Sequence, residues 1–166
     1  MRTAWAVVAR SGQLSSELFA DRPVEERERR GYTVTCAVPL DDDGAPVPLP
    51  GRQVLHAPTP SDEPVSLPVR LIAPFPLGPD RRHVAPGPVT DALLAVLADA
   101  YAELLAELPA EPVLLRLVPR ASLAASELDA TLGRAVLDRL TRTSWLPAAT
   151  PRSRHCGPTG RSRSTT

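Results

Sequence analysis

The chain has 166 residues, enough for one ordinary globular domain, with 43% hydrophobic residues for a core but only 4% aromatic, so Leu, Val and Ala must fill it. Its formal charge is +0, and every one of its 19 basic residues is Arg. Pro147 to Thr166 hold four of them and no acid, so the body carries 15 Arg against 19 acids, a mildly acidic balance of −4 with a basic tail.

The absence of Lys excludes a phosphate-binding P-loop, whose glycines must be followed by one. No basic-then-apolar N-terminus and no long apolar run points to secretion or membrane spanning. Cys36 and Cys156 lie far apart and read as a small apolar filler and an incidental thiol, which fits a reducing cytoplasm.

Thr3 to Val8 is short, apolar and rich in β-formers, and predicts a strand that ends in a turn at Arg10-Ser11-Gly12. Leu14 to Phe19 predicts a helical turn. The mixed signs of EERERR, within Asp21 to Arg30, predict a solvated connector, since a nucleic-acid patch keeps one sign. Tyr32, Val34, Cys36, Val38 and Leu40 alternate with their neighbours as a half-buried strand does. Asp41-Asp42-Asp43-Gly44 closes it with turn chemistry, and the ligand spacing of a calcium loop is missing beyond the three acids.

From Ala45 to Pro64 prolines recur too often for a helix, and only Gln53 to Ala57 reads as a short strand. The run from Val65 to Leu77 is the most informative. Val65, Leu67, Val69, Leu71, Ala73, Phe75 and Leu77 share one parity and predict a single buried face. Pro68, Pro74 and Pro76 on the other parity lack donors toward one lateral neighbour, so that side is expected to be a sheet edge, or to pair only around Arg70 to Ile72.

Beyond Pro86-Gly87-Pro88, Thr90-Asp91 offers a cap and a first-turn acid for a helix over about 90–108. Leu93, Leu94, Leu97, Ala100, Tyr101, Leu104 and Leu108 form its apolar stripe. Asp99, Glu103 and Glu107 line up four apart opposite it, a row suited to water or to a basic partner. Val113 to Val118 is apolar and undecided in type. Ser126-Glu127-Leu128-Asp129 resembles a capping box and introduces a second helix over about 127–142, with Asp138 and Arg142 as a favourable pair. The tail, 147–166, has no apolar period and predicts disorder. Strands first and helices after give an α+β fold with a small mixed or antiparallel sheet in a single domain, 1–146.

Ala37-Val38-Pro39-Leu40, Leu67-Pro68-Val69-Arg70-Leu71 and Phe75-Pro76-Leu77-Gly78-Pro79-Asp80-Arg81-Arg82, followed by a Leu/Ala helix, resemble the repeat region of sacsin and bacterial sacsin-type ATP-binding proteins. The resemblance covers about 3–146 and is to the middle-type segment that follows a nucleotide-binding domain like that of the ninety-kilodalton heat-shock chaperones. The family's nucleotide domain uses an Asn for Mg²⁺ and a D-x-G-x-G turn, and this chain has neither.

The resemblance therefore implies a truncated, chaperone-like middle segment in the cytoplasm, with no ATPase activity of its own. ATP and Mg²⁺ are expected only with the missing domain, and the partner is a protein, either that domain or a client. Membrane and nucleic acid are not expected partners. Arg81 and Arg82 are the candidate phosphate-facing residues, because a middle-segment arginine of the related chaperones reaches toward the γ-phosphate. Asp99, Glu103 and Glu107 are the candidate partner surface. No catalytic or metal site is assigned. His56 with Ser61 and Asp62, or His83 with Asp80, holds residue types of a hydrolase without a nucleophile elbow, and His155-Cys156 lacks a second ligand pair. The alternative reading is a small protein-interaction module, or a non-functional gene remnant, with no nucleotide link.

Overall fold

The computed structural model describes residues 4–20, 27–28, 30–120 and 124–145. Five strands, β1 (Ala4–Gln13), β2 (Gly31–Leu40), β3 (Gln53–Ala57), β4 (Thr59–Val65) and β5 (Arg70–Ile72), form one sheet in the order β1-β2-β5-β3-β4. Two helices follow, α1 (Pro88–Glu107) and α2 (Glu127–Leu140), with short 3₁₀ turns at Ser16–Phe19 and Pro112–Arg116. The sheet is mixed, since β5 runs antiparallel to β2 and parallel to β3. This is an α+β fold, as the order of the elements predicts. Most of the charged connector at 21–30 and the whole tail at 147–166 lie outside the described residues.

The 65–77 run keeps its alternation. Val65, Leu67, Val69, Leu71, Ala73 and Phe75 are all buried, with Leu77 half-buried. Of its two expected placements, the sheet edge is corrected, since β5 lies inside the sheet, and the restricted pairing is found: the ladder with β2 spans only Arg70–Ile72, against Ala37, Cys36 and Thr35. Pro68 and Pro74 stop the ladder on either side, because neither has an N–H to donate. The edge on that side is β4, beyond β3, a strand that carries Pro60 and Pro64 within the proline-rich stretch. A bulge interrupts its pairing with β3 between Val54 and His56, and there the buried Ser61 Oγ donates to the Leu55 carbonyl at 2.8 Å.

The turn expected at Arg10-Ser11-Gly12 is absent; β1 runs straight through it to Gln13. Ser11 and Thr33 share a hydroxyl hydrogen bond of 2.8 Å across the pair, and Gly12 lies under the Tyr32 ring. A Cβ at Gly12 would come within 2.6 Å of the Tyr32 hydroxyl, so glycine serves here for space and not for bending. The Asp41–Gly44 turn forms as its chemistry requires: Asp41 Oδ1 accepts from the N–H groups of Asp43 and Ala45, and Gly44 takes φ 83°.

Helix α1 crosses the face of the sheet that carries Val8, Val34, Cys36 and Val38. Its whole predicted stripe is buried, from Leu93 to Leu108, and the Cys36 thiol meets the Leu97 carbonyl at 3.8 Å. Each buried leucine there contributes roughly 1.5–3 kcal/mol. The helix starts earlier than its cap signal implies, with Gly87 at the N-cap and Pro88 in the first turn, a position where the missing N–H costs nothing. Thr90 is buried and donates to the Ala85 carbonyl at 2.7 Å. Tyr101, also buried, gives its hydroxyl proton to the Leu117 carbonyl and so ties the 3₁₀ turn after the helix back to it.

Helix α2 packs Leu132, Val136 and Leu140 inward beside α1. Ser126 Oγ caps it by accepting from the Asp129 N–H at 3.1 Å. The return half of the expected capping box does not form. Asp129, 1% exposed, turns its Oδ2 to the N–H groups of Ala125 at 2.8 Å and Ser66 at 3.0 Å, fastening the helix start to the segment between β4 and β5. The predicted Asp138–Arg142 pair is present at 2.8 Å. Replacing Asp129 with Ala leaves two partly buried N–H groups unpaired and is expected to cost about 2–4 kcal/mol in urea unfolding, whereas Asp138→Ala, which breaks one exposed and one partly exposed pair, is expected to cost under about 1 kcal/mol.

Candidate functional site

The segment after the central strand folds into a tight turn that carries both candidate arginines. Leu77 and Val84 form an antiparallel bridge, and between them the Gly78 N–H donates to the His83 carbonyl at 2.9 Å while the Arg81 N–H donates to the Gly78 carbonyl at 2.9 Å. Asp80 organises the tip. Its Oδ1 accepts from the backbone of Arg82 at 2.9 Å and His83 at 3.2 Å, and its Oδ2 lies 2.7 Å from His83 Nδ1. An aspartate followed by donors two and three residues on is the local pattern that makes such a turn from sequence alone.

Arg81 sits at the apex with φ 55°, the one positive-φ residue other than glycine among the described residues. Its side chain is exposed and makes no ion pair among the described residues. Arg82 differs. Its carbonyl accepts from the Asp62 N–H on β4 at 2.8 Å, and its guanidinium lies 3.5 Å from the Asp62 carboxylate, a solvated pair of small energetic value. The two arginines are thus separated in role by one peptide unit, and the turn is docked on the free edge of β4.

Electrostatics around the turn is dominated by carboxylates. Hydrogen bonds from the His83 ring and from the Arg82 and His83 amides hold the Asp80 carboxyl well below its ordinary value of 3.8, at about 2. The same Asp80 bond raises His83 above 6.5, helped by the charges of Asp80, Glu63 and Asp62. Beside the turn lies a cleft of about 340 Å³ between β4 and the starts of α1 and α2, lined by Glu63, Asp91 and Glu127 among apolar residues that include Val84 and Leu94.

The acidic row of α1 does not stand open to a partner along its whole length. Asp99 accepts from Arg139 of α2 at 2.7 Å, and Glu103 accepts from Arg10 of β1 at 2.8 Å. The basic partner that the spacing allows for is therefore this chain itself, and only Glu107 is without an ion pair among the described residues. Of the two hydrolase sets, His83 and Asp80 do meet, at 2.7 Å, but inside the turn and with no serine or cysteine bonded to them among the described residues, and the other set is not assembled. The Ser61 hydroxyl is committed to Leu55, and no hydrogen bond joins His56 to Ser61 or Asp62 among the described residues. His56 sits near Arg70, and its partial burial, then that charge, lower its proton affinity. The described residues contain no cluster of three or more candidate metal ligands, and no described helix is long and apolar enough to cross a membrane.

Sequence reasoning missed Asp62 as the anchor of Arg82, because the proline-laden β4 gave no strand signal and so no hint that its edge meets the turn. No protein-family model matches this chain, and no curated protein or solved structure matches it.

The signs of the two shifts define where the turn is best held. The raised His83 favours the folded turn below pH 6.5, and that contribution is lost as pH rises through its folded value. The lowered Asp80 favours it above pH 3.8, and that contribution is lost as pH falls toward 2. Slow amide exchange at Arg82 and His83 is therefore expected between about pH 4 and 6.5. In Asp80→Ala both amides should exchange faster at every pH, and His83, followed by its ring resonances, should titrate closer to 6.5.

Proposed function

We propose that this chain works as a non-catalytic middle-type segment of a sacsin-like chaperone, presenting Arg81 to the phosphates of a nucleotide held by a domain outside this sequence. The observation that carries the reading is the conformation of Arg81. A non-glycine residue in the left-handed region costs on the order of 1 kcal/mol, and such residues persist where their surroundings over-determine them, often at ligand-facing positions. Here Asp80 supplies that constraint from one side and the Leu77–Val84 bridge from the other. The result is a guanidinium on a firm mount, exposed, with no carboxylate paired to it among the described residues.

The chemistry suits the role. Guanidinium matches phosphate oxygens in a planar fork, and one brought in from a neighbouring unit stabilises the charge that develops during phosphoryl transfer. Arg82 acts in this reading as a positioning residue, holding the turn to β4 through its carbonyl and through Asp62. Glu63, Asp91 and Glu127 make the cleft beside the turn unsuited to a polyphosphate, which supports a nucleotide held by another domain.

The test is reconstitution with a sacsin-type nucleotide-binding domain supplied as a separate polypeptide. Addition of this chain should raise ATP turnover, Arg81→Ala should remove about tenfold or more of that stimulation, and Arg82→Ala, which keeps the carbonyl bond to the Asp62 N–H and loses only a solvated ion pair, should retain most of it. Equal turnover with and without the chain, or with wild type and Arg81→Ala, defeats the proposal.

A further inference from the structure

The two edges of the sheet are treated in opposite ways. On β4, Pro60 and Pro64 remove donors, Asp62 and Glu63 add charge, and the Asp62 N–H is taken by the Arg82 carbonyl, so this edge is closed to another strand. On β1 none of these devices appears. Its ten residues, Ala4–Gln13, pair with β2 without a register shift, contain no proline, and include one charge, Arg10, which is turned to the helix side and held by Glu103.

The face of β1 away from α1 adds an apolar surface to that open edge. Val8 pairs with Cys36 beneath α1, so the alternate residues Trp5, Val7, Ala9 and Ser11 lie on the other face, with Trp5 opposite Pro39. The described residues include four exposed large hydrophobics: Trp5 at 42%, Val7 at 53%, Val47 at 42% and Leu115 at 54%. Three of them share this corner, since the Val47 N–H donates to the Pro39 carbonyl at 2.8 Å. A grouped apolar patch beside an edge that no other described strand covers marks a surface that is covered in use.

We propose that β1 is the seam of a symmetric homodimer, in which it pairs antiparallel with the β1 of a second copy about a twofold axis at Val7 and the two sheets continue as one. The sequence of β1 is compatible with itself in that register. Val7 meets its own copy, Trp5 meets Ala9, Ala6 meets Val8 and Ala4 meets Arg10, so each indole has a small neighbour and no like charges oppose. A twofold uses one surface on both partners and closes after two copies, which allows the long bare edge without open-ended assembly. Trp5 is 42% exposed, so of the roughly 250 Å² of an indole side chain each copy has about 100 Å² left to bring to the seam, and the rest of the roughly 1,000 Å² of a lasting interface must come from the strand itself and its neighbours. A second copy fits better than an unrelated strand because this complementarity is written entirely within one ten-residue segment.

Light scattering coupled to size exclusion tests this on the full chain. Wild type should move with concentration from a mass of 17.8 kDa toward twice that value. Val7→Lys, at an exposed site, should keep its circular dichroism and weaken association at least about tenfold, while Leu115→Lys, which alters the exposed hydrophobic outside the corner, should dimerise as wild type does. Val7→Cys in a Cys156→Ser background should form an intermolecular disulfide under mild oxidation, and Leu115→Cys in the same background should not. A wild type that stays monomeric at every soluble concentration, a dimer indifferent to Val7→Lys, a species that grows beyond two copies, or equal cross-linking at both positions overturns the proposal.

Discussion

Three missing backbone donors shape this fold. Pro68, Pro74 and Pro76 stand in a segment whose other parity is apolar and must be buried, so the chain has to enter the middle of the sheet without the means to pair along its length. The compromise is β5, three residues with full partners on β2 and a single parallel register point on β3. Outside those residues the segment is held by side chains, from Val65 and Leu67 through Ala73 and Phe75, packed into the common core. Backbone groups left over find individual partners instead of ladders: Leu49 donates to the Pro68 carbonyl and Ala85 to the Pro76 carbonyl. Proline content that would forbid a long central strand is thereby tolerated in a short one.

Charge is handled in the same local fashion. Glu103 is answered by Arg10, Asp99 by Arg139, Asp138 by Arg139 and Arg142, and Asp62 by Arg82. These pairs are at least partly solvated and add little stability singly. Their effect is on which surfaces remain available. They occupy most of the acidic row of α1, leave Arg81 at the apex of the Gly78–His83 turn without an ion pair among the described residues, and take the only charge on β1 out of the path of an approaching strand.

Periodicity made much of this legible. The stripe of α1, the alternation of β2 and of 65–77, the strand at Gln53–Ala57 and the start of α2 all follow from spacing, because each is an element whose burial pattern and local preference agree. Legibility failed where a local rule and the tertiary setting diverge. Gly12 suggests a turn, but tertiary space under Tyr32 is what requires it. Pro60 and Pro64 argue against a strand, yet an edge strand needs only half its donors. Asp129 sits where a capping box would return, but its carboxylate reaches a strand segment distant in sequence, and no local pattern encodes that reach. At the turn, the Asp80 geometry was accessible from its own neighbourhood, whereas the docking of Arg82 on Asp62 depends on a sheet order that spacing does not encode.

Cys36 gives the chain an internal gauge of its own integrity. It lies on β2 under α1, fully buried, with its sulfur against the Leu97 carbonyl, and burial pushes the thiol far above its usual range, so almost none of it is thiolate near neutrality. Chemical reactivity at this atom requires that the helix lift from the sheet. In a background where Cys156 is replaced, the rate at which an alkylating reagent consumes the remaining thiol becomes a clock for that separation, ticking at the frequency of the opening and silent to motions of the surface turns.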